Sequence, residues 1–518
     1  MLLASSSWLL AAPKAPPNII FFLVDDYDKP ETSTYGGSVL TPNLDRLAKE
    51  GMTFHNAHVT STVCTPSRYT CLTGRYAGSS THHGYFELFP KGTQALPAFN
   101  VALEPDNMNV GAVLADNGYA TGYVGKYHLS GEESATSGTV HPIEKNAPYS
   151  EEIDRLFFEN EKTYRNLIKE RGFTWAKNIY WGNLKAPFKG HNPEWTIDAA
   201  IEFIDKHHDQ PFYLHYCTTL LHGPNGEWHR SLTERELVTG EGMLKEPLEV
   251  MPPRNSVLRR IRKAGLTENE VGYLWMDDSL GLILDKLDEL GIADNTIVLF
   301  LADHGSEKKG SLFKSRGTEV PCLMRWPAKI PAGVECHELI QNTDFAPTWF
   351  EVAGATVPAE YQIDGVSLSP LFENPSTPVR DFVYGEMGAA RSIKTKDFNY
   401  IALRYTTDQI EAVKKEERRI LKTLQGLSGG VSRAVRHHPD ALDPDQLYHL
   451  TNDPNEQSNV ADNPEFESKL AELKTILENE LARFPHRPFG EFIPGGNAAS
   501  PSDSKIVREK LREAALNQ

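Results

Sequence analysis

Two unbroken apolar runs stand out along the chain. Residues 19–24 (Ile-Ile-Phe-Phe-Leu-Val) and 296–302 (Thr-Ile-Val-Leu-Phe-Leu-Ala) show no alternation of polar and apolar positions. That pattern predicts strands buried on both faces, as in a parallel sheet. Each run stops abruptly, the first at Asp25-Asp26 and the second at Asp303-His304. Two more strands are predicted, over 118–129 and 211–221. The first carries Lys126 and His128 two residues apart, hence on one strand face. The second ends at His222. Helical periodicity fills the intervals at 41–51, 110–117, 151–171, 195–207 and 267–291. The last is the clearest, with a Thr267/Glu270 capping box and an apolar stripe through Leu280, Ile283, Leu284, Leu287 and Leu290. Ligand sites of open α/β sheets lie at the carboxyl ends of strands. In a parallel sheet Asp25-Asp26 and Asp303-His304 therefore share one side.

After about residue 371 the character changes. Short strand-like runs near 382–386 and 400–405 suggest a small antiparallel sheet. A charged helix around 410–424 reads as an insertion, residues 447–450 and Asn452-Asp453-Pro454 as a turn, and 463–484 as a helix starting at Asn463-Pro464. A tail follows from Gly495.

With 518 residues the chain can hold two or three domains and a large core. Its formal net charge of −17 argues against a general binder of nucleic acid or anionic membranes, which needs a basic face. One basic cluster exists, at Arg254, Arg259, Arg260, Arg262 and Lys263; it is either a solvated helix face or a docking surface for an anionic substrate. Five cysteines are too few for a disulfide framework in a chain of this size, and one bridge stays open. Residues 1–12 are apolar, end in small residues and lack a basic start. They read as part of an export signal or as an apolar tail, and are too short and Ser-rich to span a membrane.

The stretch 64–75 (Cys-Thr-Pro-Ser-Arg-Tyr-Thr-Cys-Leu-Thr-Gly-Arg) carries the chemistry. Thr65 suits an N-cap, Pro66 a first helical turn and Gly74 a left-handed C-terminus. Cys64 then lies just before a helix N-terminus, where unpaired N–H groups favour an anion, and Arg68 adds a forked cation. The alternatives are a sulfur nucleophile beside an anion cradle and a buried structural cysteine. Asp25-Asp26 is likewise either a solvated loop or one side of a hard-cation site. Lys126 and His128 are either a polar edge face or a pair turned inward.

Cys64-x-Pro66-x-Arg68 followed by Leu72-Thr73-Gly74-Arg75 resembles the signature of the sulfatase family. Six further stretches fall in that family's order. Thr41-Pro42-Asn43-Leu44-Asp45 precedes the cysteine. Gly125-Lys126-Tyr127-His128-Leu129 is similar to the family's Gly-Lys-Trp-His-Leu, and His222 has Pro224 two residues later. Lys309 to Arg316 aligns with Lys-Gly-x-x-Tyr-Glu-Gly-Gly, although Lys314, Ser315 and Arg316 replace the Glu and both glycines, and Lys308 is a second candidate for the lysine. Residues 342–348 and Ala353-Gly354 also match, as does the 447–454 turn.

The resemblance implies a three-layer α/β/α fold with a large mixed sheet, alkaline-phosphatase-like, plus a smaller C-terminal α+β domain. The expected division is an export segment at 1–17, a catalytic domain at 18–370, a small antiparallel-sheet subdomain at 371–490 and a tail at 491–518. It also implies that Cys64 is oxidised to formylglycine (3-oxoalanine) by a formylglycine-generating enzyme. One Ca2+ is implied, with Asp25, Asp26, Asp303, His304 and an oxygen of the modified Cys64 as ligands. Arg68, Lys126 and Lys309 would hold the sulfate, His222 would protonate the leaving oxygen, and His128 would take a proton from the hydrated aldehyde to expel sulfate. A hard cation prefers oxygen to sulfur, which independently favours an oxygen-bearing derivative at Cys64 over a working thiolate.

The expected activity is hydrolysis of sulfate esters of a sulfated carbohydrate by an exported, periplasmic or secreted enzyme. His83, Lys314 and Arg316 are candidate substrate contacts; the added cations point to a substrate with further negative groups. The alternatives are a phosphoester or phosphonate hydrolase on the same scaffold, and a calcium-containing glycan-binding protein with Cys64 unconverted.

Overall fold

The computed structural model describes residues 15–129, 141, 143–144, 146–184, 187–233, 237–246, 248–404, 437–484 and 492. Most of the expected export segment, the charged run 410–424 and the tail from Gly495 lie outside the described residues.

Eight strands form the main sheet: β1 (Asn18–Val24), β2 (Met52–His58), β3 (Ala120–Lys126), β4 (Trp175–Tyr180), β5 (Phe212–Cys217), β8 (Thr296–Ala302), β9 (Cys322–Arg325) and β10 (Val334–Gln341). Between β5 and β8 in sequence, β6 (Val238–Thr239) and β7 (Gly242–Met243) make a separate two-stranded ribbon. The sheet order is β10-β2-β9-β8-β1-β5-β3-β4. β9 is antiparallel to both of its neighbours, so seven strands share one direction and the sheet is mixed.

The apolar runs sit at the centre for the reason their composition gives. Every residue of β1 and β8 is buried, and the two pair in parallel from Asn18↔Thr296 to Val24↔Ala302. Adjacent positions on β1 point to opposite faces. Phe21 meets Phe345 on one face, with ring centroids 5.6 Å apart. Phe22 packs on Tyr216 on the other, and the Tyr216 hydroxyl bonds Thr196 at 3.0 Å. Helices Cys64–Thr73, Val110–Asp116 and Phe345–Ala353 pack together as one layer. Helices Pro42–Glu50, Pro193–His207, Arg254–Lys263 and Val271–Glu289 make the other. The capping box of Thr267 and Glu270 forms as expected.

Because β1 and β8 are in register, Asp25-Asp26 and Asp303-His304 emerge side by side. The Asp303 N–H donates to the Val24 carbonyl at 2.8 Å, and that of Tyr27 to the His304 carbonyl at 3.1 Å.

The smaller domain is a four-stranded antiparallel sheet, β11 (Val383–Met387), β12 (Ala390–Lys394), β13 (Phe398–Leu403) and β14 (Asp445–His449), with helix Glu467–Ala482 packed on it. Two of its strands lack a plain sequence signal. β12 carries Arg391 and Lys394, both buried, and β14 occupies the stretch that reads as a turn.

Three local expectations need correction. The Cys64–Thr73 helix starts two residues early, with extended Val63 rather than Thr65 as its N-cap and no capping side chain, so Cys64 is its first residue rather than its predecessor. β5 stops at Cys217, and the chain reaches His222 through a non-strand segment in which Asp25 N–H bonds the Leu220 carbonyl at 3.0 Å. β3 ends at Lys126, and His128 has a left-handed φ of 52°, so the alternation argument does not apply to that pair.

Gly125 makes that turn-out possible. It has φ +88° at an irregularity between β3 and β4, and a Cβ there would lie 1.9 Å from the Cys217 carbonyl oxygen. Gly125→Ala is expected to destabilise the protein by about 2–4 kcal/mol, since strain and a backbone clash add. Thermal or denaturant unfolding measures it; an unchanged midpoint would show that the strand end can relax.

The basic run 254–263 is mostly neutralised by the protein itself. Arg254 forks onto Glu194 at 2.9 and 3.0 Å and stacks over Trp275, Arg260 forks onto Asp278, and Arg262 pairs with Glu268. All five cysteines are free and buried, so no disulfide forms.

Candidate active site

Four elements converge at the carboxyl side of the sheet. β1 delivers Asp25 and Asp26, β8 delivers Asp303 and His304, β3 delivers Lys126, and the first turn of the Cys64–Thr73 helix delivers Cys64 and Arg68. Asp25, Cys64, Arg68, Lys126, Asp303 and His304 are essentially inaccessible to solvent.

The Cys64 thiol is the hub. Its Sγ donates to Asp25 Oδ1 at 3.3 Å and lies 3.4 Å from His304 Nε2, 3.5 Å from Lys126 Nζ and 3.7 Å from Lys309 Nζ. Burial and Asp25 push this thiol up, but Lys126, Lys309 and His304 outweigh them and bring it down to about 6. By contrast, burial pushes the Cys71 thiol, two turns along the same helix, up beyond the usual range.

Lys126 pairs tightly with Asp25 Oδ2. Lys309 bridges both Asp26 oxygens at 2.8 and 3.0 Å. His304 Nε2 lies 3.2 Å from Asp26 Oδ1 and 3.6 Å from Asp303 Oδ1. Burial opposes charge on His304, but Asp303 and Asp26 raise its pKa to about 9. Arg68 acts here as a bracket. Its Nε and Nη2 meet Asp303 Oδ2 at 3.0 and 2.9 Å, and its Nη1 donates to the Lys126 carbonyl at 3.1 Å.

Three buried or nearly buried carboxylates in one spot are costly without cations. One ligand atom each from Asp25, Asp26, Cys64 and His304 lies within 4.8 Å of all the others. That spacing, with Asp303 alongside, fits a hard divalent cation in all but its sulfur. Lys126, Lys309 and Arg68 pair with these carboxylates.

Two histidines flank the cluster. His222 Nε2 lies 3.9 Å from Asp26 Oδ2. Its backbone is fixed by bonds from its N–H to the Thr219 carbonyl at 3.1 Å and from Trp228 Nε1 to its own carbonyl at 2.9 Å. His128 is held by its N–H to the Trp181 carbonyl at 3.2 Å. Burial, then Lys126 and Arg68, push it down to about 3, so it is neutral at physiological pH.

The remaining expected substrate contacts have other neighbours. Arg316 pairs with Glu31 at 3.0 Å and Glu307 at 3.1 Å, and lies 3.6 Å from Asp28. Lys314 Nζ lies 3.7 Å from Glu319. His83 is the exposed first residue of the short His83–Leu88 helix, with its ring 4.6 Å from that of His82. Lys308 Nζ lies over the Phe313 ring, so Lys309 and not Lys308 enters the cluster.

Several supporting residues carry no local signal in sequence. Asn342 accepts from Thr60 N–H at 3.0 Å and donates to Ser67 at 3.2–3.3 Å, pinning the start of the cysteine helix. Thr62 ties down Gly310 and Ser311, beside Lys309. From the smaller domain, buried Glu456 accepts from Lys314 N–H at 2.7 Å and from Asn399 Nδ2 at 2.6 Å, while Asn399 also donates to the Leu312 carbonyl at 3.2 Å. The loop that presents Lys309 is thus shaped partly by the C-terminal sheet. Residue 399 or 456 in isolation gives no hint of this.

A family model described as Sulfatase matches residues 17–355. The chain belongs to the sulfatase family. A second model, for the C-terminal part of N-sulphoglucosamine sulphohydrolase, matches residues 303–417. Among relatives of this sulfatase, an ulvan-active sulfatase from Formosa agariphila is 25% identical over 525 residues, covering 97% of this chain and 88% of that protein. An N-acetylglucosamine-6-O-sulfatase from Bacteroides thetaiotaomicron is 25% identical over 550 residues, covering 90% and 87%. A solved protein in complex with its substrate D-glucosamine-2-N,6-O-disulfate shares the fold, with a TM-score of 0.60 at 21% identity, covering 92% of this chain and 100% of that one. As a sulfatase the chain is a sulfuric ester hydrolase. Among the described residues, no helix is long and apolar enough to cross a membrane.

Proposed function

We propose that this sulfatase releases sulfate from an ester of a carbohydrate, using a formylglycine made from Cys64 and a calcium ion held by Asp25, Asp26, Asp303 and His304. The observation that carries the reading is the meeting of the Cys64 side chain with three acidic strand-end residues and two lysines in one buried spot. The carbohydrate class is supported by the ulvan-active and N-acetylglucosamine-6-O-sulfatase relatives. Maturation requires a formylglycine-generating enzyme. We place the catalytic domain at 18–370 and the C-terminal subdomain at 371–490, and read residues 1–17 as an export segment that takes the enzyme to the periplasm or medium.

The cation would neutralise sulfate oxygens, and the hydrated aldehyde would supply an oxygen nucleophile where a thiol stands now. The protein's own residues do the rest. Lys126 and Lys309 face the nucleophile position and balance the charge of a bound sulfate. Arg68 keeps Asp303 and the end of β3 in place. His222, beside Asp26 and open to the cleft, donates a proton to the leaving oxygen. Neutral His128 is able to accept one.

Side-by-side assay of an aryl sulfate and the matching aryl phosphate tests the reaction class; faster turnover of the sulfate is expected, and a strong phosphate preference would favour the phosphoester reading. Mass spectrometry of the tryptic peptide holding Cys64, from a host able to convert it, tests the nucleophile. A persistent free thiol would point to a non-enzymatic glycan-binding role.

A further inference from the structure

A small cleft opens beside His222, lined among others by Asn183, Lys189, His191, Thr219 and Glu227. Because His222 faces it, it is where the leaving group of a bound sulfate ester would lie. Its polar groups come in compensating pairs. Lys189 Nζ bonds Glu227 Oε1 at 2.9 Å, so among the described lining residues this lysine is met by a carboxylate, beside the proton donor His222. His191 is buried, bonds Thr219 Oγ1 through Nδ1 at 3.0 Å, and is kept neutral by burial and by the nearby His222. Arg230 donates to the Lys189 carbonyl, which fixes the backbone that carries the lysine.

Of the added cations expected to select a polyanion, Arg316 pairs with Glu31 and Glu307, Arg254 with Glu194, and Arg260 with Asp278. On the other flank, Phe99 is 40% exposed and tilts against His128 with ring centroids 5.8 Å apart, offering an apolar face. Recognition of a second sulfate or a carboxylate needs uncompensated cations in good geometry. A Lys–Glu pair with neutral imidazole, amide and hydroxyl neighbours instead suits groups that both donate and accept, which is what hydroxyls do.

We propose that the leaving-group subsite, built on Lys189, Glu227, His191 and Asn183, takes a sugar ring whose only charge is the sulfate being removed. The neighbouring positions of that ring are hydroxyls or uncharged amides. This rests on the sulfatase reading above and narrows it to neutral, monosulfated units, opposite to the polyanionic substrate that the sequence suggests.

The test uses the full-length enzyme with Cys64 converted. Sulfate release is measured by ion chromatography for an aryl sulfate, a neutral hexose monosulfate, and the same hexose sulfate carrying a second sulfate or an attached uronate. The neutral monosulfate is expected to exceed the doubly charged analogues in kcat/KM by about tenfold or more, because Glu227 meets the extra anion. Glu227→Gln should narrow that ratio, and should lower kcat/KM for the neutral sugar sulfate more than for the aryl sulfate. A higher kcat/KM for the doubly charged sugars overturns the proposal, as does an unaltered ratio in Glu227→Gln. Turnover of the aryl sulfate in the same panel keeps those failures separate from failure of the sulfatase reading, which would show as no release from any ester.

Discussion

Cys64→Ala is expected to lose sulfate-ester turnover by at least ~10³-fold while keeping its fold, since removal of a nucleophile leaves only binding and electrostatic assistance. The fold should survive because no charge is orphaned. Lys126 keeps Asp25, Lys309 keeps both oxygens of Asp26, and His304 keeps Asp26 and Asp303. Position 64 is also the first residue of a helix in which Val63 supplies the cap, so alanine fits the backbone. Turnover together with thermal unfolding decides it. Retained turnover would remove Cys64 from the chemistry, and a collapsed midpoint would show that the thiol has a packing role.

The second large effect belongs to His222, and it should depend on the leaving group. Proton donation to the leaving oxygen contributes about 10²–10⁴-fold in enzymes that use it. For a sugar sulfate, whose alkoxide leaves poorly, His222→Ala should cost about that much in kcat. For an aryl sulfate with an electron-poor phenol, the phenolate departs unaided and the loss should be far smaller. The substitution leaves backbone contacts intact, because Thr219 and Trp228 bond main-chain atoms of His222. Equal losses on both substrates would mean that His222 orients the sulfate through its 3.9 Å approach to Asp26 rather than donating a proton.

What could be read from the chain beforehand follows from how local the signal is. β1 and β8 were legible because burial on both faces forces consecutive apolar residues, and their acidic ends followed from the same boundary. Lys126 and Lys309 could be singled out by motif. Two kinds of feature were not legible. The first is backbone geometry that breaks a period: Gly125 and the left-handed His128 end β3 early, so Lys126 and His128 do not share a strand face as alternation predicts. The second is pairing over long separations. Arg316, Arg254 and Arg260 look like free cations along the chain, and only the fold brings Glu31, Glu307, Glu194 and Asp278 against them. Strand β14 was hidden for a related reason, since its burial comes from β13 and the packed helix rather than from its own composition.

The grip of Glu456 on the loop that carries Lys309 has a bearing on gene fragments and domain dissection. A piece ending between residues 317 and 455 retains Asp25, Asp26, Cys64, Arg68, Lys126, His128, His222, Asp303, His304 and Lys309, and would pass any inventory of motif residues. It lacks the carboxylate that receives the Lys314 N–H, five positions beyond Lys309. For this chain, completeness of the motif set and completeness of the working unit are separate questions, and recombinant boundaries should be drawn by the second.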